Sequence, residues 1–190
     1  MGKIVATPPS LSVDGFFEGP DYDISWHMVD EELHTHMNQW LGAAGAFLEG
    51  RVTWELMADY WPTADEDPAA PAPIREFAGI WRDKSKYVFS KTLQEAGWGT
   101  TIVRDVVPGE IADLKASANG DLVVGGANLV ETFMALDLVD EYRLYIHPVA
   151  IGVGSRFFPP DFKAQLRLAE TRTFGNGVVM LRYDVARESS

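Results

Sequence analysis

Residues 120–139, GDLVVGGANLVETFMALDLV, decide how the rest of the chain is read. Leu122, Val123 and Val124 form an apolar run the length of one buried strand. Gly125 and Gly126 end it. Leu129, Phe133 and Leu136 then recur at spacings of four and three, the stripe of a helix buried on one face. The stretch reads strand, Gly-Gly turn, helix. Two residues without side chains let a backbone approach a ligand closely. The helix start offers N–H groups without intrahelical partners and a partial positive charge, which suits a phosphate. A plain tight turn explains the same residues equally well, because a bare Gly-Gly is far less specific than a full glycine fingerprint.

The pattern repeats upstream. Residues 46–49 are a short apolar strand closed by Gly50, and GRVTWELMADYW opens a helix with Val52, Leu56 and Tyr60 spaced by four. Arg51 supplies a planar, permanently charged donor fork at this junction, and Thr53 a hydroxyl. Residues 86–90, KYVFS, form a third strand, followed by Lys91 and Thr92. Helices are expected over 26–44, 73–83 and 109–118, and strands over 3–7 and 101–104. In the first helix Val29, Leu33, Met37, Trp40, Leu41 and Ala44 keep the helical period, and Asp30 falls inside that stripe. Either Asp30 is a buried carboxylate in use, or the helix begins beside it and Asp30 is its N-cap. His34 and His36 lie on the stripe's edges and read as boundary residues.

Residues 8–23 form a loop with turns at Asp14-Gly15 and Gly19-Pro20. Its Phe16 and Phe17 either fold over something apolar or anchor the loop on the core. Residues 62–73, PTADEDPAAPAP, are an acidic, proline-rich surface loop. After the central stretch, residues 140–152 form a long strand broken at Pro148. Residues 165–174 and 178–185 alternate around an Asn176-Gly177 hairpin. The order predicts one α/β domain over 1–190. Its mostly parallel sheet is covered on both faces and closes with antiparallel C-terminal strands. Ligands bind at the carboxyl ends of such strands, where all three polar or glycine junctions fall.

The chain has 16 basic and 28 acidic residues, a net charge of −12. That argues against nucleic acid or an acidic membrane surface as partner. Four basic residues (Arg82, Lys84, Lys86, Lys91) stand within ten, either a local patch suited to a small anion or a solvated surface run, the latter reading strong for Arg82 and Lys84. No apolar run approaches the ~20 residues of a membrane helix. No secretory leader is legible. The chain has no cysteine, which leaves no thiolate metal site or disulfide and fits a reducing cytoplasm. No metal site is expected.

The chain resembles the dihydrofolate reductase-like reductases, most of all the branch of the riboflavin-biosynthesis reductase domain. The resemblance runs essentially end to end. SLSVDGF (10–16), GRVTWE (50–55), VFSKTL (88–93) and the long segment 122–158 carry it, with the closing hairpin. It implies a three-layer αβα fold binding NADPH. Gly50, Arg51, Thr53, Ser90, Lys91 and Thr92 match turns that hold the adenosine end, with Arg51 and Lys91 facing the 2′-phosphate. Gly125, Gly126, Ala127 and Asn128 match the turn beside the nicotinamide ribose and pyrophosphate. In relatives the Gly-Gly bond is often cis.

The resemblance further implies hydride transfer from the nicotinamide to a small pterin- or pyrimidine-like substrate, aided by an acid. Asp30 is the nearest match to that acid, and the SVDG corner brings in Asp14, Ser12 and Phe16 beside the nicotinamide. A homodimer is implied as well. The alternative is a non-catalytic ligand-binding or interaction module that retains the fold.

Overall fold

The structure, a computed structural model, describes residues 2–8 and 10–187; Pro9, in the expected loop, and both ends of the 1–190 span lie outside the described residues. The strands are β1 (Ile4–Ala6), β2 (Leu11–Ser12), β3 (Phe16–Glu18), β4 (Ala46–Gly50), β5 (Ser85–Phe89), β6 (Thr100–Val103), β7 (Leu122–Gly125), β8 (Glu141–His147), β9 (Ser155–Arg156), β10 (Leu166–Thr173) and β11 (Val179–Val185). The helices are α1 (Glu31–Ala43), α2 (Arg51–Tyr60), α3 (Ala72–Asp83), α4 (Pro108–Ser117) and α5 (Ala127–Ala135).

One sheet takes the order β10-β11-β8-β1-β7-β4-β5-β6, with β2 beside β8. Pairings from β8 across to β6 are parallel, and β11 joins β8 and β10 antiparallel. The α/β class with antiparallel C-terminal strands is therefore as the alternation predicts. β3 and β9 form a separate small ribbon.

Successive strand residues point to opposite faces, so β4 feeds two cores. Leu48 packs with Leu122, Val124, Leu129, Val130 and Phe133, under α4 and α5. Phe47 packs with Val123, Phe77 and Trp81, under α3. On that second face α1 sets Leu33 and Met37 against Tyr145, Val178 and Met180. Each large apolar side chain buried this way contributes about 1.5–3 kcal/mol.

Four expectations need correction. α1 begins at Glu31, not Trp26, because Asp30 is extended (φ −85°, ψ −179°) and its carboxylate accepts the Leu33 N–H at 2.9 Å. Residues 26–29 instead pack as a loop, with the Met28 N–H donating to His147 Nδ1 at 3.0 Å.

In α2 the stripe Val52, Leu56, Tyr60 is exposed, and Trp54 is buried instead. Trp54 Nε1 donates to Thr100 Oγ1 at 3.0 Å, which turns that side of the helix onto the sheet.

The basic run is not one patch. Arg82, Lys84 and Lys86 lie at the amino end of β5, and Lys91 follows its carboxyl end. Arg82 grips Asp65 at 2.7 and 2.6 Å, and Lys84 donates to the Gly42 and Ala44 carbonyls at 2.8 and 2.6 Å. Lys86 is buried, with Nζ on the Trp81 and Lys84 carbonyls at 2.7 Å each.

Last, no cis peptide occurs among the described residues. The Gly125–Gly126 bond is trans, and the chain reverses through the positive φ of Gly126, +92°.

Candidate active site

β7, β4 and β5 are adjacent and parallel, with Glu49 opposite Gly125 and Gly50 opposite Phe89. Their carboxyl ends therefore lie along one edge. The turns after them are neighbours in space, although far apart in sequence. A Cβ placed on Gly126 would lie 2.7 Å from Thr53 Oγ1 and 3.5 Å from the Gly50 nitrogen. One placed on Gly50 would lie 3.8 Å from Leu129 Cβ.

α2 and α5 both start at this contact. Their N-caps are Gly50 and Gly126, neither start carries a side-chain cap, and neither first turn holds an acid. α1 differs: Asp30 caps it, and Glu31 and Glu32 occupy its first turn. The edge thus carries two adjoining helix starts whose N–H groups are open to an anion. Each such terminus favours negative charge by roughly 0.3–1 kcal/mol. Ala127 and Asn128, the first residues of α5, are exposed there.

The third turn is built by Ser90. It is buried, and its Oγ accepts the Thr92 and Leu93 N–H groups at 3.3 and 3.0 Å. Arg104 Nη1 bridges the Ser90 and Leu93 carbonyls at 2.9 and 2.7 Å. Ser90 therefore shapes this turn, and Lys91 and Thr92 are the side chains it presents, both exposed. Lys91 Nζ lies 3.0 Å from Asp105, and Arg51 Nη1 lies 2.9 and 2.7 Å from the two Glu55 oxygens. Exposed pairs of this kind are worth about 0–1 kcal/mol, so either cation can turn to a bound phosphate at little cost.

The SVDG corner satisfies itself. Ser12 is buried on β2, and its Oγ accepts the Phe16 N–H at 2.9 Å. Phe16 is buried under the Arg156 guanidinium, 4.4 Å from its ring centroid. Asp14 accepts the Ile151 and Gly152 N–H groups at 3.2 and 2.8 Å. The Ser12 hydroxyl first, and then these N–H groups, hold its carboxyl below the usual range. Asp14 is thus an ionised clamp between two loops. Asp30, outside the apolar stripe and exposed, is a helix cap.

One carboxyl near this edge has the opposite character. Glu49, at the end of β4, is 5% exposed, and its Oε2 has no hydrogen-bond partner. Burial pushes it up to about 7, against the opposing pull of Lys86. Its neighbour on β7, Gly125, has no side chain. In sequence it passes for the polar end of an apolar strand; the available signal was a carboxylate inside AFLEG, where each neighbouring side chain is apolar.

α2 has two unlike flanks. At about 100° per residue, Tyr60 lies about 20° and Leu56 about 60° from Thr53, the residue that meets Gly126. Arg51 and Glu55 lie about 160° away from Thr53, on the opposite flank. Beyond Tyr60, Trp61 stacks edge-on with Phe77 at 4.5 Å and lies 6.0 Å from the α1 residue His34. Burial lowers the His34 pKa.

Residues 5–180 match the model of the RibD C-terminal domain. The uncharacterized protein YyaP of Bacillus subtilis is 35% identical over 177 residues, covering 92% of this chain and 90% of its own. Among solved structures, a putative riboflavin biosynthesis protein from Shewanella superposes with a TM-score of 0.74 at 18% identity, over 97% of this chain and 99% of the other. A Thermotoga maritima diaminohydroxyphosphoribosylaminopyrimidine deaminase/5-amino-6-(5-phosphoribosylamino)uracil reductase gives a TM-score of 0.65 at 15% identity, over 97% of this chain and 57% of that one. At these identities the two structures speak to the fold.

Proposed function

The chain belongs to the RibD C-terminal domain family, and on that premise we propose that it is an NADPH-dependent reductase of a small heterocyclic, pterin- or pyrimidine-like compound. The observation that carries this reading is the meeting of two uncapped helix starts at Gly126 and Thr53, with Arg51 and Lys91 on the same edge. The N–H groups at Gly50–Arg51 and at Gly126–Asn128 suit a pyrophosphate. Arg51 and Lys91 would take the 2′-phosphate, and Thr92 and the Ser90 turn the adenosine.

NADPH, when bound, supplies the hydride. The chain's own share is to hold donor and acceptor in contact, to keep water out, and to hold a proton. We assign Asp14 to clamping the loop beside the nicotinamide and Asp30 to capping α1. Ser12 and Phe16 shape the corner without offering a free polar group. Glu49 is the carboxyl near the edge that can carry a proton at neutral pH. No helix among the described residues is long and apolar enough to cross a membrane. We place the enzyme in the cytoplasm as a homodimer, acting on a small molecule and not on nucleic acid.

Thermal denaturation with each nucleotide tests the cofactor assignment. A ligand at a hundred times its Kd stabilises by about 2.7 kcal/mol. NADPH should raise the melting temperature, and by more than NADH does. Absence of any shift at millimolar NADPH defeats the proposal. The engagement of both Asp14 and Asp30 in structural contacts favours one competing reading, a module that binds the nucleotide without turnover. NADPH binding with no acceptor ever reduced would select it.

A further inference from the structure

We propose that the substrate of this site carries no phosphate: it is a planar heterocycle, neutral or cationic, taken against the Thr53 flank of α2. The inference rests on the reading above for where the reaction occurs and adds what is accepted there.

The first observation is the lining. Thr53 meets the Gly126 turn, and on the same flank Leu56 and Tyr60 are 69% and 52% exposed. Tyr60 stacks edge-on with Trp61 at 4.9 Å, Trp61 with Phe77, and His34 of α1 lies beside both. An exposed apolar and aromatic flank next to a conformationally special turn is a surface for the flat face of a ring.

The second observation is charge. Residues 13–83, which supply the loop before α1 together with α1, α2 and α3, contain three Lys or Arg (Arg51, Arg75 and Arg82) against fifteen Asp and Glu. Arg51 lies on the far flank of α2 and is held by Glu55. Burial disfavours the charged form of His34, and likewise of His27, so neither replaces a lysine at neutral pH. The other cations near this side are already engaged: on α3, Arg75 Nη1 donates to the Ala70 carbonyl and Arg82 grips Asp65. Arg156 sits over Phe16 and donates to the Asp14 carbonyl at 3.1 Å. Arg172 pairs with Glu32 at 3.6 Å and meets His36 Nδ1 at 3.0 Å.

A phosphate dianion entering this side would meet a net field of its own sign, and like-charge placement is an effective means of rejecting a ligand. The two basic side chains of the edge, Arg51 and Lys91, lie on the cofactor's side. The site therefore admits anionic phosphate where the dinucleotide binds and rejects it where the acceptor binds.

The test is calorimetric binding to the full chain at low ionic strength, with four probes. They are 5-amino-6-(5-phosphoribosylamino)uracil, the same compound without its phosphate, neutral lumazine, and an N-methylated cationic pteridine. At least one phosphate-free probe should bind at least ten-fold tighter than the phosphorylated one. The variant Leu56→Lys, at an exposed position, should narrow that gap at least three-fold. A preference below ten-fold for every phosphate-free probe overturns the proposal, as does failure of every such probe to bind or a gap that Leu56→Lys narrows by less than three-fold. NADPH binding, read separately by melting temperature, reports on the reductase reading alone, so the two can fail independently.

Discussion

Thr53 Oγ1 stands where a side chain on Gly126 would have to go: a Cβ there would be 2.7 Å away, on a residue whose φ is +92°. The contact joins the starts of α2 and α5, two helices brought together only by the neighbouring positions of β4 and β7. Gly126→Ala should destabilise the fold by about 2 kcal/mol, since it adds left-handed strain to the clash. Chemical denaturation reads this. Adding Thr53→Ala should recover the part due to the clash, leave the part due to φ, and leave the NADPH-induced stabilisation weak.

Glu49 makes stability depend on pH in a direction unusual for a carboxylate. Its folded value of about 7 lies above the ordinary 4.5. Between these values the native state holds a proton that the unfolded chain releases. Its contribution is therefore fully present below about 4.5 and lost as pH rises through about 7. The full difference is about 3 kcal/mol. Glu49→Gln should raise the melting temperature at pH 8, change it little at pH 4.5, and flatten the decline between. An unchanged pH profile would refute the assignment.

Asp30 separates capping from catalysis. Asp30→Ala loses the bond to the Leu33 N–H and should cost about 1 kcal/mol, whereas Asp30→Asn should retain most of the stability. If Asp30 is a cap and no more, Asp30→Asn also keeps kcat within about three-fold of the parent. A hundred-fold fall in kcat with intact stability would restore it as the acid, since removing a general acid typically costs about 100-fold or more.

Arg51 should decide cofactor choice without affecting the fold. Its pair with Glu55 is an exposed i,i+4 contact, worth about 0.3–0.5 kcal/mol. Arg51→Ala should leave the unliganded melting temperature within a degree of the parent and bring the NADPH shift down toward that of NADH. Lys91→Ala should do the same, and the double variant should lose the preference.

Asp14 should act on two loops at once. Its carboxylate is the acceptor for the Ile151 and Gly152 amides. In Asp14→Ala both amides should exchange hydrogen markedly faster, while those of β7 stay protected. Because the carboxyl is held below its ordinary range, this clamp stays closed at pH 5 and loosens only as the pH falls further through the depressed value.

Much of this was legible in the amino-acid order itself. The strands ending at Gly50, Ser90 and Gly125, the helices starting after two of them, and the Asn176-Gly177 hairpin follow from local rules: apolar period, glycine at breaks, β-branched runs. So does the α/β class, because alternating elements leave few ways to bury their apolar faces. What the order could not decide is which of two candidate faces a segment turns inward. α2 carries an apolar residue on nearly every side, and it is the sheet under Trp54 that leaves Leu56 and Tyr60 outside. Arg82 and Lys91 look like one cluster in sequence, but a strand between them carries them to opposite edges of the sheet. Asp14 and Glu49 are the same chemistry in a list of residues. The Ser12 hydroxyl and then the amides of a distant loop keep one ionised, and burial raises the other toward neutrality against the pull of Lys86, because ionisation answers to groups that the folded chain brings near.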